Sequence, residues 1–172
     1  MSTALDKRES HIVEYLLFVW QMEDVARAAD FEVGAIRSMF NGVDSPDLEW
    51  LLKLTQDMKK EGLQEKGHVA HAIETLTELA LLHDLLTGPM EDSNYVKTFE
   101  SAQPFLAELQ EKKQGAGSMM HPTEQMLTAL YGWLVLRMKK ETISVETEAA
   151  MVAIRQMANV LARGHIRVYE GR

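Results

Sequence analysis

Apolar residues recur at spacings of three and four throughout the chain, and no segment alternates convincingly with a period of two, so the pattern predicts helices. At 100° per residue, Ile12, Leu16, Val19 and Ala26 stack on one side of a first helix, predicted over Lys7 to Ala29, while Lys7, Glu14 and Gln21 line the other. Glu23 falls in the middle of the apolar side. A short second helix, Glu32 to Asn41, is expected to stop at Gly42. Asp44-Ser45-Pro46-Asp47 reads as a helix start, with Ser45 or Asp44 capping and proline in the first turn, and the third helix then runs to Glu61-Gly62.

A connector, Leu63 to Gly67, leads into a fourth helix that stops near Thr87-Gly88-Pro89. Ser93 or Asp92 is expected to cap the fifth, whose interior Pro104 predicts a kink or restart. Gln114-Gly115-Ala116-Gly117-Ser118 reads as a flexible loop, with Met119-Met120 exposed beside it. The last two helices are predicted from Pro122 to Glu141 and from Val145, capped by Ser144, to about Arg163. There is no internal repeat and no linker. The expectation is one all-α domain over residues 1–172, a bundle of about seven helices with the first central and packed on the fourth, sixth and seventh.

Composition narrows the classes. With 172 residues and 46% hydrophobic content the chain has ample core material. A net charge of −8 makes a nucleic-acid partner unexpected, because phosphate contacts need a basic surface. The absence of cysteine excludes disulfides, thiolate metal sites and cysteine nucleophiles. The N-terminal residues carry no apolar signal-peptide core, and the apolar run Tyr15 to Trp20 is far short of the ~20 residues of a spanning helix. A cytoplasmic protein with no membrane partner is expected.

Candidate chemistry starts from Glu23, since a carboxylate on a buried stripe needs a partner. Arg27, four residues on, offers a local pair; Arg137, at the edge of the stripe Leu127, Tyr131, Leu134 and Met138, offers one across the core. Glu23, Arg137 and Tyr131, with Trp20 as a wall, form the expected ligand-binding group. Gly132 leaves a gap on the sixth helix where a backbone or a ligand can approach. A second constellation, Glu65, His68 and His71, carries one Glu-x-x-His spacing, with His11 and Glu14 as further donors. His83 sits on the apolar stripe Val69, Ile73, Leu76 and Ala80 and reads as a core histidine.

Asp24 to Phe40 resembles the helix-turn-helix of TetR-type repressors in spacing. Its turn glycine is Asp30 here, no break precedes Asp24, and acids dominate the segment. Three stretches together carry a more specific likeness: Glu14-Tyr15-Leu16-Leu17-Phe18-Val19-Trp20-Gln21-Met22-Glu23-Asp24; Glu61-Gly62-Leu63-Gln64-Glu65-Lys66-Gly67-His68; and Ala129-Leu130-Tyr131-Gly132-Trp133-Leu134-Val135-Leu136-Arg137-Met138-Lys139-Lys140 with Ile143-Ser144-Val145-Glu146-Thr147-Glu148. With these the chain resembles the bacterial domain-of-unknown-function family 4924 along nearly its full length. The resemblance implies a small all-helical protein with no assigned activity, cofactor or catalytic residue. The leading expectation is a non-enzymatic module that binds a protein partner, a second copy or a small ligand. The alternative is a metal-dependent enzyme using His68, His71 and Glu65, and the third a DNA-binding regulator.

Overall fold

The computed structural model describes residues 3–112 and 120–171. The loop expected at Gln114 to Ser118, and Met119, lie outside the described residues. Eight α-helices follow one another: α1 (Ala4–Ser10), α2 (Ile12–Ala28), α3 (Val33–Met39), α4 (Pro46–Lys60), α5 (Ala70–Thr87), α6 (Ser93–Lys112), α7 (Pro122–Met138) and α8 (Val145–His165). A π-helical turn, Ile166–Glu170, extends the last, and there is no strand among the described residues. None of these helices is long and apolar enough to cross a membrane.

Most helix ends lie where local chemistry puts them. Ser45 accepts the Leu48 N–H at 3.1 Å with Pro46 in the first turn, and Ser144 accepts the Thr147 N–H at 3.1 Å. Asp92, rather than Ser93, caps α6 by accepting the Tyr95 N–H at 2.9 Å. Gly62 closes α4 at φ 70°, where the Leu63 N–H returns to the Met58 carbonyl. Helix α6 runs unbroken through Pro104, so the expected restart does not occur.

The first predicted helix is divided at His11. That residue is extended (φ −158°, ψ 94°); its N–H ends α1 on the Lys7 carbonyl, and its Nδ1 accepts the Glu14 N–H at 3.1 Å to begin α2. Only an imidazole nitrogen carrying no proton can accept in this way. Within α2 the segment Asp24 to Ala28 continues the same helix, and the turn into α3 holds Asp30 and Phe31 at φ 52° and 59°.

The chain divides into two compact units, Met1–Thr75 and Leu76–Arg172, with the boundary inside α5. In the first, α2 packs on α1 and α4, and α3 packs on α4. Leu16, Val19, Ile36, Leu51 and Met58 are fully buried there, and Trp50 meets the rings of Tyr15 and Phe18. In the second, α6, α7 and α8 pack pairwise around Leu106, Met126, Leu127, Ile154 and Leu161.

Candidate functional site

The buried Glu23 has partners, and they are neither Arg27 nor Arg137. Its side chain, 0% exposed, projects from α2 to the residues that open α5. One carboxylate oxygen accepts the Val69 N–H at 2.8 Å, and the other meets His68 Nδ1 at 2.7 Å. A helix start leaves N–H groups without intrahelical acceptors, and the aligned peptide dipoles favour negative charge there. Glu61 completes the arrangement by accepting the Ala70 N–H at 2.8 Å. Because a carboxylate only accepts, the His68 proton on this side is on Nδ1. The imidazole stacks on Trp20, ring centroids 4.5 Å apart and 14° from parallel.

Arg27 ties down the connector instead. Its Nε donates to the Leu63 carbonyl at 3.1 Å, Nη1 to Asp24 at 3.2 Å, and Nη2 to the Gly67 carbonyl. Of the expected ligand-binding group, Glu23 and Trp20 therefore meet at His68 in a set of contacts that satisfies both carboxylate oxygens. Tyr131 and Arg137 lie on α7, in the second unit, where the exposed Arg137 guanidinium stands 4.8 Å from the centroid of the Trp133 ring.

The expected metal-ligand set Glu65, His68 and His71 is not gathered: Glu65 is exposed, His68 faces Glu23, and His71 Nε2 lies 3.3 Å from the Tyr15 hydroxyl. Among the described residues the group whose ligand atoms do converge, within 4.8 Å of one another, is His83, Asp84 and His121. Hydrogen bonding assigns its protons. His121 Nδ1 caps α7 by accepting the Thr123 N–H at 3.1 Å, so a neutral imidazole carries its proton on Nε2, which donates to Asp84 at 3.0 Å. A cation would need that same Nε2 lone pair. Ligation would move the ring proton to Nδ1, where the Thr123 hydroxyl at 2.8 Å can accept it at the cost of the Thr123 N–H cap, so the same residues can serve as a helix start or as metal ligands.

His83, with Nδ1 2.6 Å from the Tyr95 hydroxyl and its ring edge-on to Phe99 and His121, is buried. Burial, aided by the neighbouring His121 and opposed by Asp84, lowers its pKa to about 4. Burial also pushes the Tyr95 phenol upward. His83 is thus the core histidine its stripe predicts, and His121 and Asp84 escaped notice because a histidine cap and a lone aspartate carry no spacing signature.

The second unit contains a cavity of about 460 Å³ between α6, α7 and α8. Leu106, Leu109 and Gln110 line it from α6, Thr147 and Met151 from α8, and Met120 from the residues before α7. Helix α7 supplies Gln125, Thr128, Ala129, Gly132, Trp133 and Leu136. The cavity follows from the sequence of α7: Thr128, Ala129 and Gly132, spaced three and four apart, share a face that carries little side-chain volume. A Cβ on Gly132 would meet nothing within 4 Å, so the gap expected at this glycine is there. The wall is apolar with few polar groups, and the two glutamine amides are 3.5 Å apart, a long contact for a hydrogen bond. Trp133 Nε1 is buried with no hydrogen-bond partner among the described residues. Such groups are rare in folded proteins, because burying a donor without an acceptor costs free energy.

The chain matches the family described as Domain of unknown function (DUF4924) over residues 1–172, its whole length, and belongs to that family. No curated protein and no solved structure matches it.

Proposed function

We propose that this protein is a binding module, not an enzyme, whose second unit takes a small, largely apolar molecule into the cavity between α6, α7 and α8. The observation that carries the reading is the cavity itself, a half-open space of about 460 Å³ with apolar walls drawn from three helices. Such walls favour an apolar body. The cavity's volume lies within the roughly 300–1,000 Å³ typical of small-molecule sites. The Glu23–His68 contacts in the first unit support a structural role, since each carboxylate oxygen is already engaged. The cysteine-free, acidic composition is consistent with a cytoplasmic setting.

Binding of an uncharged naphthylamine fluorophore, N-phenyl-1-naphthylamine, tests the proposal. The parent chain should saturate with one probe per chain, and Gly132→Leu, which places a side chain in the gap, should weaken binding about tenfold or more while leaving the helical circular dichroism unchanged. Equal binding by parent and variant, or no binding by the parent, rejects it.

A further inference from the structure

We infer that the ligand of this cavity is an amphiphile, an apolar body ending in an anionic head, and that Arg137 and Arg155 receive the head; this rests on the cavity being a binding site. The two residues come from different helices, α7 and α8, and converge on one ring. Their guanidinium carbons lie 4.8 Å and 5.4 Å from the centroid of Trp133, the residue that lines the cavity. Both are exposed, and neither has a carboxylate within ion-pair distance among the described residues. That is unexpected for a chain of net charge −8, whose acids outnumber its bases.

Of the acids beside lining residues, Glu108 pairs with Lys112, Glu124 occupies the first turn of α7 and Glu146 and Glu148 the first turn of α8, where the helix dipole favours them, while Glu111 is exposed. A guanidinium whose carbon stands over a ring and which has no carboxylate partner still has N–H groups to offer, and a pair of these can bind a carboxylate or phosphate in bidentate fashion. The Trp133 ring holds both arginines beside the cavity that it lines. The combination of apolar walls and two cations beside the ring selects a molecule with chemistry at one end only, of the class of a monomeric alkyl carboxylate.

The test uses the full chain and three probes sharing a twelve-carbon tail: dodecanoate, dodecan-1-ol and dodecyltrimethylammonium, each displacing the naphthylamine fluorophore below its micellar concentration. Dodecanoate should displace it at a concentration about tenfold lower than the alcohol, with the margin shrinking as salt is added, and the cation should be the weakest. The double variant Arg137→Gln, Arg155→Gln should bring dodecanoate to the level of the alcohol and leave the alcohol unchanged. Because both residues are exposed, the variant should keep the parent circular dichroism, and Arg137→Lys with Arg155→Lys should retain an intermediate preference. Equal displacement by carboxylate and alcohol, or a preference that survives the double glutamine variant, overturns the inference while leaving the cavity reading intact. Failure of all three probes, together with fluorophore binding that ignores Gly132→Leu, overturns the cavity reading itself. Pelleting of the protein with phosphatidylglycerol vesicles, in place of displacement by monomeric dodecanoate, assigns the arginines to a bilayer surface and also overturns the inference.

Discussion

Removing the Glu23 carboxylate strips an acceptor from two donors at once, the Val69 N–H and His68 Nδ1–H. Glu23→Ala should therefore cost about 3 kcal/mol in urea unfolding, since each buried donor left without a partner loses its full desolvation penalty. Glu23→Gln keeps one acceptor but turns an amide donor towards another donor, and about half that loss is expected of it. A cost below about 1 kcal/mol for the alanine variant would show that these groups find water or other partners. His83 makes the second prediction at this scale. Its folded pKa of about 4 lies below the ordinary 6.5, so between those values the unfolded chain holds a proton that the folded chain does not. Stability contributed by His83 is thus complete above pH 6.5, falls as pH is lowered, and is gone below about 4. The loss amounts to up to about 3 kcal/mol by linkage. Comparing urea midpoints of the parent and His83→Gln across that window isolates it, because Tyr95, His121 and Asp84, the groups facing the ring, remain in both. A glutamine variant with the same pH slope as the parent rejects the assignment.

Helix ends divide into those a sequence displays and those it conceals. Ser45-Pro46, Ser144 and Gly62 work through residue types with strong intrinsic preferences for caps, and the expected boundaries there hold to within a residue or so. The break between α1 and α2 was hidden because a histidine cap depends on which ring nitrogen holds the proton, and the apolar stripe runs on through Ile12 without interruption. His121 conceals the start of α7 less completely, because Pro122 follows it. In these terms His11→Ala should cost about 1 kcal/mol by thermal unfolding, and His11→Asn, which restores a side-chain acceptor, should recover most of it. If asparagine is no better than alanine, the ring nitrogen is not what starts α2. The start of α5 was illegible for a different reason. Its caps come from Glu23 and Glu61, the former 46 residues before Val69, and no local window contains such a pair. The need for a partner to Glu23 was plain from its stripe; its identity was not.

At the scale of the molecule, the all-helical class was legible because a period of three and four is a property of each segment separately, whereas a cavity belongs to three helices together. Gly132 signalled a gap, but only the convergence of Leu106, Met151 and Trp133 on it turns a missing side chain into a half-open cavity. Arg137 was singled out for a core pairing and instead stands on a ring beside that space, with Arg155, which no stripe marked, arriving from α8. Dodecanoate at a hundred times its dissociation constant should raise the unfolding free energy by about 2.7 kcal/mol if it binds only the folded chain. The measurement is a thermal melt repeated over a series of ligand concentrations, and a midpoint that stays constant excludes specific binding.

Those same features carry a consequence for the protein's lifetime. A unit that keeps an open apolar space among its packed helices forgoes stabilisation whenever it is empty. Proteases draw on the transiently opened population, so an occupied copy should outlast an empty one. The steady-state amount of this protein would then rise and fall with its ligand at constant synthesis, making abundance itself a record of how much of that molecule is present.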